Sequence, residues 1–398
     1  MLILEVEVDP VDTTTSYVHE SVELFSELRP MHWSTCLVLP FSLSFVAGAV
    51  AFNARAYTIQ STNCKAVDRV LNEEVNITID YVDVNPTAEK SIIMVHGWPS
   101  LWSSWGYQIE EFKDEYRIIA IDVRGFGGST HPADVQSSST LADITGDLTC
   151  VLEHVGIQSV ICLGHDWGAE VCYEAARRRP DIFYALVGVT VPYLHAAGPF
   201  ADSAQLAAVM PKLAYQVFFE NHTTKAIAEL NKDIRRSLRA TLRTVNSTPP
   251  DSFLTSTSTY ISAYDNVTEI PPIPFFTSSH EKYFVERFSI QKFDHTLIFY
   301  TRGNRYGAWQ STQAQGNYTI PQPVLSVLPL NDPVADWVFA AKYLKSAAFL
   351  PQLTTKTMEG AHWPHLEHPK VFNDILRAWL ENLDHSLTPA QRVLSDEL

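Results

Sequence analysis

Along most of the chain, short apolar runs alternate with longer stretches whose apolar residues recur at helical spacing. Residues 76–84 (N-I-T-I-D-Y-V-D-V) alternate strictly, which predicts a strand with one buried face. Residues 91–95, 116–121, 159–163, 184–191 and 323–328 are nearly continuous in Ile, Val, Leu and Ala, as expected of strands covered on both faces. Residues 354–358 read as one more strand. Between these runs, residues 141–155 and 167–179 have helical spacing, and Pro180 stops the second. This alternation predicts an α/β chain with a doubly wound, mostly parallel sheet, whose functional site lies at the carboxyl ends of the strands.

The alternation breaks over residues 194–321, which read as short helices and polar loops. Residues 244–260 are rich in Ser, Thr and Pro, and residues 271–276 are rich in Pro. Because strand 323–328 resumes the sheet, the segment reads as an inserted helical cap over the strand ends; a separate structural domain is the alternative. The chain then divides into an extension, 1–55, a core of 56–193 and 322–398, and the cap, 194–321.

The run 159–163 leads straight into Gly164-His165-Asp166-Trp167-Gly168-Ala169. A strand, a sharp G-x-nucleophile-x-G turn and a helix form a nucleophile elbow, which thrusts the central side chain above the sheet. Here that residue is Asp166, whereas Ser is usual. A carboxylate attacks saturated carbon and leaves an alkyl ester; Ser attacks carbonyl carbon. Read alone, Asp166 could simply cap the helix. Two other strand-ending turns argue against that. Strand 91–95 runs into His96-Gly97-Trp98-Pro99, and strand 116–121 into Asp122-Val123-Arg124-Gly125-Phe126-Gly127-Gly128-Ser129. In this fold the first loop supplies one backbone N–H of an oxyanion hole, here that of Trp98. The residue after the nucleophile, here Trp167, supplies the second.

Together the three motifs resemble those of the epoxide hydrolases in the Asp-nucleophile branch of the α/β-hydrolase superfamily: H-G-x-P, R-G-[FY]-G-x-S and G-H-D-W-G-A/G. The likeness spans residues 76–383. It implies an α/β-hydrolase fold with an inserted helical cap, and conversion of a hydrophobic epoxide to a vicinal diol through an alkyl ester on Asp166. Opening an epoxide produces an alkoxide that needs a proton, and the resemblance assigns the donors to two cap tyrosines. Tyr215 lies in Y-Q-V-F-F, similar to the family's Y-Q-x-x-F. Tyr300 lies in F-Y-T-R, similar to W-Y-R but with Phe for Trp and Thr301 before Arg302. Tyr260, Tyr264 and Tyr283 read as packing aromatics. The pattern G-x-H-W followed by E-x-P selects His362 as the base, leaving His365 and His368 as solvated or supporting residues. Asp332, just beyond strand 323–328, reads as its acidic partner in preference to Asp336, which stands where a helix begins. Neither a metal nor an organic cofactor is implied, and Pro364 and Pro369 spoil a paired-His metal site. Two rivals remain at this point. A haloalkane or haloacid dehalogenase would use the same Asp-His-Asp set but has no use for two cap tyrosines. A non-catalytic ligand-binding protein on the same scaffold would be expected to lose a member of the set.

With 398 residues, 46% of them hydrophobic, the chain can bury a large core. A formal charge of −16, with no basic run longer than Arg177-Arg178-Arg179, argues against nucleic acid and anionic membranes as partners. Of five cysteines, Cys150, Cys162 and Cys172 fall on predicted core elements and read as small apolar fillers. Residues 33–54 carry no charge and fit a signal h-region or a short membrane anchor, with Ala49-Val50-Ala51 as a cleavage pattern, although residues 1–30 are acidic. Sequons at Asn76, Asn221, Asn246, Asn266 and Asn317, and a C-terminal Ser395-Asp396-Glu397-Leu398 similar to a retention signal, favour a secretory or endoplasmic-reticulum route over a cytoplasmic one. Oligomeric state is not legible.

Overall fold

The computed structural model describes residues 52–386, which belong to one compact unit. The hydrophobic stretch up to residue 51 and the C-terminal Ser395–Leu398 signal lie outside the described residues, as does Cys36. Phe52 and Ala54 are already core residues: the Phe52 ring packs on Trp102 and His280 at 6.1 and 5.2 Å.

Eight strands form one sheet: β1 (Gln60–Asp68), β2 (Glu73–Val84), β3 (Ser91–Val95), β4 (Arg117–Ile121), β5 (Val160–His165), β6 (Phe183–Val189), β7 (Val324–Pro329) and β8 (Leu353–Met358). Their order is β1-β2-β4-β3-β5-β6-β7-β8. β1 and β2 pair antiparallel, β2 runs antiparallel to β4, and every later pairing is parallel. Strands β3, β5 and β7 are buried at every position, because helices cover both faces. β1 was not expected from the pattern. It is an edge strand whose buried positions carry only Cys64 and Ala66 as apolar residues, so little apolar signal marks it.

The segment between β6 and β7 is helical, as its composition suggested. It docks on the strand ends through buried polar contacts. Arg287, on the helix Ser278–Gln291, reaches Asp80 of β2 at 2.8 Å and Asp122, past the end of β4, at 3.1 Å. Asn304 accepts from the Ser139 N–H and donates to the Val135 carbonyl. Beneath it, Arg124 grips Asp147 through two 2.6 Å bonds and fixes the glycine-rich loop to the helix Leu141–His154.

The cysteine reading needs correction. Cys64 and Cys150 form a disulfide that staples β1 to the helix Leu141–His154, and Cys162 and Cys172 form a second between β5 and the helix Trp167–Arg178. The pairs are invisible in the spacing. A cysteine on a buried strand and one on the helix packed over it look like ordinary apolar fillers until the packing brings them together.

Candidate active site

β5 ends at His165, and the chain turns sharply at Asp166, which takes φ +55° and ψ −123°. A non-glycine residue there is strained, and the turn holds it because its neighbours are tightly constrained. The flanking glycines serve close approach. Neither is among the residues with positive φ. A Cβ on Gly164 would lie 2.1 Å from the Gly168 carbonyl oxygen, and one on Gly168 2.1 Å from the Val95 carbonyl oxygen. Gly97 is needed for a different reason: a Cβ there would sit 2.4 Å from the Asp166 carboxylate.

The loop after β3 holds that carboxylate. The Trp98 N–H donates to Asp166 Oδ1 at 2.9 Å. His96, fully buried, locks the loop by accepting from the Val123 N–H through Nε2 at 3.0 Å. Trp167 is the first residue of the helix Trp167–Arg178, where backbone N–H groups have no intrahelical partner. Its indole stacks on Phe299 at 5.5 Å, with the rings 4° from parallel.

His362 follows β8 and reaches both carboxylates. Nδ1 lies 2.6 Å from Asp332 Oδ2 and Nε2 lies 3.3 Å from Asp166 Oδ2. Asp332 also accepts from the Val334 N–H at 2.8 Å and from the Trp337 indole at 2.5 Å, so its orientation is fixed. Asp336 instead caps the helix Trp337–Tyr343 by accepting from the Phe339 N–H. Although burial alone would lower the His362 pKa, the two carboxylates, Asp332 foremost, push it up to about 10, and the ring is cationic at rest. The Asp166 pKa moves the other way: burial opposes ionisation, but His362 and the Trp98 N–H outweigh it and hold the group below the usual carboxylate range.

Two supporting residues escaped the sequence reading. His165 Nε2 donates to the His362 carbonyl at 2.8 Å, and the Thr190 hydroxyl donates to the same oxygen at 3.0 Å. Both stand at strand ends, so the histidine loop is braced by β5 and β6. His365 is not solvated: it is fully buried against Trp105 and His165, and burial drives its pKa well below the ordinary value.

Two cavities meet at Asp166. The larger, about 530 Å³, is mostly apolar and includes Trp167, Tyr215, Phe299, Trp337 and His362 in its wall. The smaller, about 30 Å³, is walled by Trp98, Tyr215, Tyr260, Tyr300 and Trp363. Tyr215 lies on the helix Ala214–Asn221, and Tyr300 follows a short turn, Thr296–Phe299. Their rings are 6.1 Å apart. Tyr300 packs edge-on against both Trp98 and Trp167, at 5.5 and 5.6 Å. Burial raises both phenol pKa values above the ordinary range, and the nearby Asp166 carboxylate adds to the shift, so each phenol keeps its proton. Tyr264 packs on Phe253 at 5.3 Å and donates to the Ala240 carbonyl, and Tyr283 packs on Trp102 at 6.1 Å and accepts from its indole N–H. Tyr260 packs on Phe253 at 4.0 Å yet also borders the small cavity, closer to the carboxylate than its sequence context suggested. Exposed apolar side chains of Val209, Phe339 and Tyr343 border the larger cavity. Among the described residues no group of three His, Cys, Asp or Glu side chains could hold a metal ion.

Residues 90–369 match the family model of the alpha/beta hydrolase fold. The chain is similar to a pig protein named bifunctional epoxide hydrolase 2, 25% identical over 296 residues, covering 73% of this chain and 51% of that one. It is also similar to epoxide hydrolase A of Mycobacterium tuberculosis, 26% identical over 324 residues, covering 77% of this chain and 95% of that one. The chain thus spans about half the length of the pig, mouse and rat relatives. Among solved structures, epoxide hydrolase A from Mycobacterium thermoresistibile superposes with a TM-score of 0.66 at 22% identity, over 81% of this chain and 98% of that one, which shows a shared fold. With the elbow, the loop after β3 and the Asp-His-Asp set at strand ends, and the family model covering well over half of its residues, the chain belongs to the alpha/beta hydrolase fold family.

Proposed function

We propose that the chain is an epoxide hydrolase that converts a hydrophobic epoxide to a vicinal diol. One observation carries the reading: two buried, protonated phenols, Tyr215 and Tyr300, border the cavities that hold the Asp166 carboxylate. In a first step Asp166 attacks an epoxide carbon, the ring C–O bond breaks, and the alkoxide takes a proton from the tyrosine pair. Esterification removes the charge on Asp166. One of the two carboxylates that hold a proton on His362 is then gone; the imidazolium gives up that proton, which restores the phenol that supplied the alkoxide, and the neutral ring can act as a base. In the second step His362 takes a proton from water, and the water oxygen attacks the ester carbonyl carbon. The Trp98 N–H, already on Oδ1, stabilises the oxyanion together with the Trp167 N–H. The tetrahedral intermediate collapses, the departing alkoxide takes the proton that His362 gained from water, and the diol leaves; Asp166, which now contains the oxygen from water, passes its acid proton to His362 and the resting pair is restored.

The test uses His362→Gln, which leaves the first step intact and blocks the second. After exposure to an epoxide, mass spectrometry should find the adduct on the peptide containing Asp166. Its absence overturns the two-step assignment. A haloalkane arm tests the dehalogenase alternative, since halide departure needs no proton from a tyrosine.

We further propose a secretory or endoplasmic-reticulum location, with any membrane contact made by the part of residues 33–54 that precedes Phe52, since Phe52 and Ala54 are core residues. The five sequon asparagines are all exposed, and two disulfides suit an oxidising compartment. Glycosidase treatment of the natural protein should increase its gel mobility; an unchanged band and four free thiols at these positions would point to the cytoplasm.

A further inference from the structure

Three carboxyl groups border the larger cavity: Asp166, Glu170 and Glu174. Asp166 belongs to the site already described. Glu174 is neutralised by Arg177 at 2.8 Å and Arg178 at 2.5 Å. Glu170 has no cation partner among the described residues, although it is only 3% exposed. Its hydrogen bonds come from a single group, the Leu194 N–H, at 3.3 Å from each oxygen.

Three other polar groups of the wall are committed elsewhere. Arg305 pairs with Glu220 at 3.1 Å and bonds Ser203. His195 donates through Nε2 to the Leu344 carbonyl and accepts the Ala197 N–H on Nδ1, so it has no proton for Glu170. Tyr193 donates to the Tyr318 carbonyl. Glu170 lies four residues beyond Asp166, about 6 Å along the axis of the helix that starts at the elbow. A buried carboxyl at this reach that no cation neutralises recognises something or is an unexplained cost.

We propose that Glu170 is the polar subsite of this cavity, hydrogen-bonding an oxygen substituent, a hydroxyl or carbonyl, carried by an amphiphilic epoxide about four bonds from the attacked carbon. The inference rests on the epoxide reading and specifies its substrate class. Burial, with Glu174 and Asp166 adding like charge, holds the Glu170 pKa well above the carboxylate range. The shift favours the protonated form, in which the group donates to a substrate oxygen while its own oxygens keep the Leu194 N–H. A carboxyl that only braced Leu194 would have no preference among substrates.

The experiment compares kcat/KM for two aliphatic epoxides of equal chain length, one with a hydroxyl at that position and one without. The parent protein should favour the hydroxylated epoxide by roughly 10-fold, the value of one buried hydrogen bond. Glu170→Met should bring the ratio to about 1, whereas Glu170→Gln, which keeps a donor and an acceptor, should preserve most of it. Loss of a mere brace would slow both substrates alike and leave the ratio unchanged, which overturns the inference. A parent ratio at or below 1 overturns it without any variant. Turnover of the plain epoxide with no such preference refutes only the subsite; turnover of neither epoxide, with no adduct in His362→Gln, refutes the epoxide reading as well.

Discussion

Asp166, Asp332 and His362 stand at strand ends and are joined to one another by hydrogen bonds, while Tyr215 and Tyr300 stand in the insertion and are held mainly by rings. The first set is fixed by backbone. Trp98, Val334, His165 and Thr190 tie each member of it, directly or through a carbonyl, to a strand end or its loop. The phenols are placed by Phe219, Trp98 and Trp167, whose contacts are edge-on and carry little direction. The hydrolytic set should therefore fail abruptly when one member is changed, and the proton donors should fail by degrees.

The largest effect should come from Asp166→Ala. Steady-state turnover of any epoxide should fall by about 10⁴-fold or more, because no other carboxylate can form the ester. Residual turnover within 100-fold of the parent would mean that the elbow is not the nucleophile's place. Next come the tyrosines. Tyr215→Phe or Tyr300→Phe should each slow alkylation by roughly 10- to 100-fold, and the double variant should lose nearly all of it, as read by stopped-flow fluorescence. A double variant that alkylates at the parent rate would remove the phenols from the mechanism. Smaller still is the effect of loosening the rings. Phe219→Leu should slow alkylation by up to about 10-fold through a displaced Tyr215, without changing ester hydrolysis. Equal slowing of both steps would show that the two sets are not held independently.

A titration sharpens the contrast further. Asp332 is the larger of the two carboxylate influences on His362, so Asp332→Asn should lower the imidazole pKa from about 10 toward its ordinary 6.5, observable by NMR of the ring protons. The sign for stability follows. A raised folded-state pKa stabilises the fold fully below pH 6.5, and that contribution is lost as pH rises through about 10. The variant should accordingly show a flatter dependence of stability on pH over that window, and an unchanged slope would count against the His362–Asp332 pair as its source. The smallest effect on chemistry belongs to the staple farthest from it. Cys64→Ser with Cys150→Ser should lower stability by roughly 2–4 kcal/mol in denaturant melts while alkylation keeps its rate.

The same division governs how much could be read from the sequence. Residues near strand ends carry strong local marks. Gly97, Gly164 and Gly168 each mark a close approach, to the Asp166 side chain or to backbone, that no Cβ would permit, and they frame Asp166. Asp332 was separable from Asp336 because the latter had a capping role in view. The insertion offered only motif likeness for Tyr215 and Tyr300, and nothing in the spacing brought Tyr260 near the small cavity. Glu170 was missed because helical periodicity cannot say whether a carboxyl one turn from the elbow meets solvent or a cavity. The disulfides were missed because pairing across a sheet and its covering helix is a tertiary fact. β1 was missed because an edge strand needs few apolar residues.

The apolar wall of the larger cavity bears on what happens after catalysis. On the proposed function, hydrolysis adds the elements of water, so the product would leave with two hydroxyl groups where the substrate had one ether oxygen. Each new hydroxyl prefers bulk water to a wall of Phe299, Trp337 and Leu213. The chamber thus grips its substrate more firmly than its product, and turnover should run with little product inhibition even where diol accumulates.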